Sequence, residues 1–217
     1  MSEVLEFHAF DNREEASGAL AAELVAVLQA ALVEKGQASL VVSGGSSPVQ
    51  MFRALGAEPL PWENVTIVPS DEREVPLDHA DRNETMIRRE LMSGPAAEAR
   101  LVSLFPPGAI PPRLDAVVLG MGSDGHTASL FPGSPDLAAA LAEPGPLARL
   151  EVPQLGMHRI SMTPAALLET EHLFLLFFSD EKRDVFDRAR AAGQVAEYPV
   201  RAVLQQGRVD VEVYWAP

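Results

Sequence analysis

Several short runs of this chain are apolar at consecutive positions, not at alternate ones, and that pattern restricts the fold most. LDAVVLG at 114–120 and HLFLLFF at 172–178 are such runs. A strand that is apolar on both sides needs cover on both faces, which helices packed above and below a parallel sheet supply. Helical patterns stand between the runs. Ala16, Leu20, Leu24, Val27, Leu28, Ala31 and Leu32 recur at helical spacing, with Asp11 and Glu14 as an aspartate capping box and Gly36 as the stop. An edge strand is expected at 4–7, and SLVVSGG reads as a strand entering a glycine turn, with Ser47-Pro48 opening a helix over 49–55. NVTIVP is the next strand, with SDE as its exit loop; Asn83 caps a helix carrying Ile87 and Leu91, stopped by Gly94-Pro95. RISMT is a further strand, Asp180 caps a helix that ends at Gly193, and VDVEVYW alternates like a closing strand. The proline-dense stretches around Pro59, Pro106–Pro112 and Pro132–Pro146 read as connections within one unit. The expectation is one α/β domain over residues 1–217 with a mostly parallel sheet.

Composition narrows the partners. With 31 acidic against 17 basic side chains the net charge is −14, which argues against a nucleic-acid surface. A small anion remains accessible, because a few local cations and backbone amides outweigh the global field at contact range. There is no cysteine, so disulfides, thiolate zinc sites and thiol nucleophiles are excluded. The five histidines at 8, 79, 126, 158 and 172 show no metal-ligand spacing, so no metal is expected. MSEVLEFHAF lacks the basic segment and apolar run of a signal peptide, and LFLLFF is too short to span a bilayer. These features predict a soluble cytoplasmic protein with no membrane partner, as a monomer or small homo-oligomer.

Five stretches carry candidate chemistry, all where a strand or helix begins or ends, which is where α/β sheets bind ligands. SGGSSP (Ser43, Gly44, Gly45, Ser46, Ser47, Pro48) offers turned backbone amides and hydroxyls before a helix, a phosphate cradle or simply a tight serine-capped turn. SDER places Asp71 and Arg73 after a strand, as pocket charges or as a solvated turn. GMGSDGH matches the dinucleotide fingerprint by letters, yet prolines 132, 135, 144 and 146 follow where a helix and an acid-ending strand are required. Ser123 does not sit in G-x-S-x-G either, since position 121 is methionine. What survives is a strand end delivering Asp124 and His126, the histidine serving as a general base or as a loop-packing side chain. Arg159 in RISMT and Lys182 in SDEKRD complete the set. Lys182 sits in a first helical turn, against the helix dipole, as an anion ligand or a plain surface lysine.

The order SGGSSP, SDERxVP followed by Asn83, LGMGSDGHTASLFPG, RISMT and a helix-start lysine resembles the 6-phosphogluconolactonase family, over residues 39 to 182. The related glucosamine-6-phosphate deaminases are similar in SGGS and DGH but differ where this chain reads TASLFP and DER. The resemblance implies a Rossmann-like sheet with helices on both faces, of the deaminase/ribose-phosphate-isomerase type. It implies hydrolysis of 6-phospho-D-glucono-1,5-lactone in the oxidative pentose phosphate pathway, with no metal or organic cofactor. His126 then matches the family's general base, and Ser43, Gly44, Gly45 and Ser46 its phosphate loop. Arg159 and Lys182 match phosphate-side cations, and Asp71 and Arg73 an acidic–basic pair at the pocket. Either Asp71 or Asp124 fixes the imidazole tautomer, and backbone amides or Arg73 stabilise the oxyanion. The chain departs from the family at Ser47, where threonine is common, at S-D-E-K in place of G-x-x-K, and at its end, VEVYWAP. A sugar-phosphate isomerase or deaminase, or a non-catalytic sugar-phosphate-binding regulator, are the competing readings.

Overall fold

The apolar runs become strands because each is covered twice. The computed structural model describes residues 5–217. Its first half runs β1 (Leu5–Ala9), α1 (Arg13–Lys35), β2 (Ala38–Val42), α2 (Val49–Gly56), β3 (Val65–Pro69), β4 (Asp71–Arg73), α3 (Asn83–Glu90), β5 (Arg100–Leu101) and β6 (Ala116–Gly120). The second half adds α4 (Leu137–Ala142), β7 (Leu147–Val152), β8 (Met157–Met162), α5 (Pro164–Leu167), β9 (Leu173–Phe178), α6 (Asp180–Arg190), α7 (Arg201–Leu204) and β10 (Val211–Ala216). Seven strands form one sheet in the order β1-β10-β9-β6-β2-β3-β5, every neighbouring pair parallel. Alternate residues of each central strand divide between two cores. Leu40, Val42, Val118, Phe174 and Leu176 pack with α1, α2 and α3, whereas Val41, Val117, Leu119, Leu175 and Phe177 pack with α5, α6 and α7. Helices therefore lie on both faces, as the continuous hydrophobicity requires.

Strand order places the ligand crevice. From β2 the chain moves one way to β3 and β5; it then returns to lay β6 on β2's other side. The carboxyl ends of β2 and β6 thus flank the point where the winding reverses, the usual binding position in such sheets. A second sheet, β4-β8-β7, is antiparallel and sits at that edge, fastened by Ser70 N–H to Val42 O (2.8 Å) and Met162 N–H to Ser70 O (2.8 Å).

Several local expectations need correction. Val4, where the edge strand was expected to begin, lies outside the described residues. The α1 cap is Asn12, one residue on from Asp11: its side chain accepts from Glu15 N–H at 2.9 Å. By length and composition α1, unlike LFLLFF, is long and apolar enough to cross a membrane, yet Leu20, Leu24, Val27 and Leu28 are buried in the core. DER is a strand of the small sheet instead of an exit loop, and RISMT pairs antiparallel with it. The Pro132–Pro146 stretch read as a connection contains α4 and leads directly into a further strand, β7. Ser179, not Asp180, caps α6, and that helix ends at Arg190, before Gly193. Likewise α3 ends at Glu90, before Gly94. β10 lies inside the sheet between β1 and β9.

Candidate active site

Ser43, Gly44, Gly45, Ser46, Asp71, Arg73, His126, Arg159 and Lys182 all line one cavity of about 450 Å³ at the crevice. That volume suits a phosphorylated monosaccharide. Asp124 is not on its wall; it reaches the cavity through His126. Met121, Ala128, Phe131 and Leu155 supply an apolar side.

The SGG loop is pressed against α3. A methyl group on Gly44 would stand 2.0 Å from Asn83 Oδ1, so only glycine allows the approach, and Gly45 holds a left-handed φ of 90°. Asn83 does not cap α3, contrary to expectation; it is the first helical residue. Its side chain donates to Asp71 O at 2.7 Å and accepts from the Arg73 guanidinium. The capping is done from another element. Buried Glu72 accepts N–H groups of Arg73 (2.7 Å), Asn83 (2.8 Å) and Glu84 (2.9 Å). Burial pushes the Glu72 carboxyl above its ordinary value, partly offset by those three amides and by Arg82.

The GSDGH turn delivers the histidine. Gly122 N–H donates to His126 O (2.9 Å) and Gly125 N–H to Gly122 O (3.0 Å), closing a tight loop beyond β6. Asp124 Oδ1 lies 2.5 Å from His126 Nδ1 and accepts His126 N–H at 3.1 Å. Of the two acids considered, Asp124 is therefore the one at the imidazole. Burial pushes the Asp124 carboxyl up, but the His126 ring and backbone outweigh this and hold it below its ordinary value. The ring packs on Phe131, centroids 4.1 Å apart. Asp71 is engaged elsewhere: it accepts from Ser129 Oγ (2.6 Å) and Ser70 Oγ (3.1 Å), and lies 3.8 Å from Arg159 Nη1.

The cations converge without full compensation. Arg73 and Arg159 stand opposite each other in the β4/β8 register. Like charges in facing positions are destabilising. Arg159, the third residue of β8, is 7% exposed, and its Nε has no hydrogen-bond partner among the described residues. Burial, then Arg73, lowers its basicity, while Asp71 and Glu72 oppose the shift. Lys182, on the first turn of α6, is lowered chiefly by burial, against Asp124 and Glu181. No carboxylate among the described residues lies within 4 Å of its ammonium. Among the described residues, no group of three His, Asp or Glu side chains is arranged to hold a metal ion.

Sequence reasoning missed Asn83 as a pocket residue, Glu72 as a cap and Ser129 as the partner of Asp71. Ser129 lies inside TASLFP, three residues from His126, and that proximity was the available signal.

Comparison with known proteins identifies the family. The family model described as glucosamine-6-phosphate isomerases/6-phosphogluconolactonase matches residues 11–215. A 6-phosphogluconolactonase of Pseudomonas aeruginosa is 40% identical, over 94% of this chain and 91% of its own. One from Neisseria meningitidis is 39% identical, over 97% and 98%. The crystal structure of a 6-phosphogluconolactonase from Shewanella baltica superposes with a TM-score of 0.94 at 32% identity, covering 99% of this chain and 98% of that one. The chain belongs to the glucosamine-6-phosphate isomerase/6-phosphogluconolactonase family.

Proposed function

We propose that this protein hydrolyses 6-phospho-D-glucono-1,5-lactone to 6-phospho-D-gluconate, with His126 as general base. The observation that carries the reading is one cavity holding both an acid-anchored imidazole and three cations, Arg73, Arg159 and Lys182. A phosphomonoester carries close to two negative charges at neutral pH and suits that cluster. In a protein of net charge −14 such a concentration of positive side chains calls for an anionic ligand.

A lactone is an activated ester, so an oriented water suffices and no covalent nucleophile is required. With Nδ1 committed to Asp124, the other ring nitrogen of His126 takes a proton from water as its oxygen attacks C1. When the C1–O5 bond breaks, the imidazolium returns that proton to O5, leaving the 5-hydroxyl and a carboxyl that ionises to solvent. General base catalysis of this kind contributes typically 10²–10⁴-fold. The Ser43–Ser46 loop, Arg159 and Lys182 hold the phosphate far from C1, and that anchoring orients the carbonyl.

The test is proton release from the lactone, corrected for unaided hydrolysis, with the parent and with His126→Ala. A large fall in kcat at little-changed KM is expected. An unchanged kcat removes the base assignment. Ammonia release from glucosamine 6-phosphate would replace the reading with a deaminase. Binding of 6-phosphogluconate with lactone decay no faster than the blank would make it a regulator.

A further inference from the structure

The segment 194–201 lies outside every motif that suggested function, yet it is packed directly behind the histidine turn. Gly125, at φ 78°, has no room for a side chain, because a methyl there would meet Tyr198 Cδ1 at 2.6 Å and Cγ at 3.2 Å. Val200 N–H donates to Gly125 O at 2.9 Å, so this segment holds the residue between Asp124 and His126 by a hydrogen bond and by a ring.

Tyr198 is itself held from the far side. The Arg201 guanidinium lies 4.8 Å from its ring centroid, and Arg201 N–H donates to Tyr198 O at 2.9 Å. Arg201 is 4% exposed, and its donors are spent on Arg188 O (3.1 Å), Ala189 O (3.2 Å), Gln194 O (2.8 Å) and Glu197 Oε2 (2.6 Å). Two of those carbonyls belong to the last turn of α6, where helical carbonyls lack intrahelical partners. One helix therefore presents Lys182 at its start and anchors, through Arg201 and Tyr198, the turn that carries His126.

We propose that Tyr198 is a positioning residue for the Asp124–His126 pair. Its ring is the fixed wall that keeps Gly125 in place and the carboxylate against Nδ1. Among the described residues no hydrogen bond of the Tyr198 hydroxyl contributes to the bracket; the ring does the packing. The proposal rests on the hydrolase reading for its kinetic consequence, but its geometric content is independent of turnover.

Three variants test it: Tyr198→Ala, Tyr198→Leu and Tyr198→Phe. Displacing a reacting group by about 1 Å costs up to roughly a hundredfold. Tyr198→Ala is therefore expected to lower kcat on the order of ten- to a hundredfold with KM nearly unchanged. Tyr198→Phe restores kcat to within about twofold of the parent by keeping the ring, and Tyr198→Leu falls between. The imidazole NMR signals of His126 should move in the Ala variant and stay in the Phe variant, a comparison made without substrate. If Tyr198→Ala does not fold, Tyr198→Leu against Tyr198→Phe carries the same comparison. Unmoved His126 signals in the Ala or Leu variant overturn the proposal. So does a Phe variant as impaired as the truncated ones, or a loss lying wholly in KM. A parent protein inactive on the lactone, with signals that shift as expected, would sink the hydrolase reading and leave the bracket standing.

Discussion

Replacing Gly122 with alanine puts a methyl group where the Asp124–His126 pair now sits. That carbon would lie 2.2 Å from both Nδ1 and Cε1 of His126 and 2.6 Å from Asp124 Oδ1. Ordinary contacts between such atoms need about 3.5–4 Å, so the imidazole must retreat by more than about 1 Å. Asp124 is pushed as well, and their 2.5 Å contact cannot survive both movements. The ring is half-buried at the cavity wall and has space to yield, so the fold itself should tolerate the change. A displacement of about 1 Å at a reacting group costs on the order of a hundredfold, or about 2.7 kcal/mol of transition-state stabilisation. The expected result is kcat reduced by about that factor, a KM within roughly threefold, and a melting temperature close to the parent's. Initial rates of proton release, corrected for spontaneous hydrolysis, measure the first two, and calorimetry the third. Gly18→Ala is the matched control, since a methyl at Gly18 on α1 meets nothing within 4 Å. It should leave kinetics untouched and raise stability by about 0.5–1 kcal/mol. A Gly122→Ala enzyme with parental kcat would mean that the pair is not held where the reaction needs it.

Arg159→Ala should raise KM for the phosphorylated lactone by roughly ten- to a hundredfold, the worth of a hydrogen bond to a charged group. An equal loss on unphosphorylated gluconolactone would remove the phosphate contact. Asp124→Asn should cut kcat while leaving binding of the reaction product intact, measured by titration calorimetry; unchanged turnover would refute the tautomer role. The same variant carries a pH signature. Because the folded carboxyl is held below its ordinary value, its stabilising contribution is complete above about pH 4 and is lost as pH falls through the lowered value. Asp124→Asn should therefore flatten the acid limb of melting temperature against pH, and an unaltered limb would show that His126 does not stabilise the anion.

The central sheet was readable because a strand buried on both faces leaves an unbroken apolar run, as at Val117, Val118 and Leu119. The site was readable because its loops follow those strands directly. What escaped depends on pairing between distant segments. Nothing in LARLEV marks β7 as a strand until β8 lies beside it, and DER joins a ladder only because Arg159 and Ser161 face it. Caps slipped by one residue wherever two suitable side chains adjoin: Asp11 beside Asn12, with Glu14 beside Glu15, give the same spacing twice. Glu72 could not be recognised as the cap of α3, because its carboxylate reaches Asn83 and Glu84 across the fold and not along the helix.

The facing arginines of the small sheet have a consequence for the stability of the fold. A ladder of backbone bonds sets the separation of β4 and β8, so the backbones of Arg73 and Arg159 stay opposite one another and only their side chains can turn apart. Asn83, which accepts from Arg73, and Asp71, 3.8 Å from Arg159 Nη1, answer only part of that repulsion. The small sheet is thus less stable than its hydrogen bonds alone would make it, because two like charges share one face of the ladder.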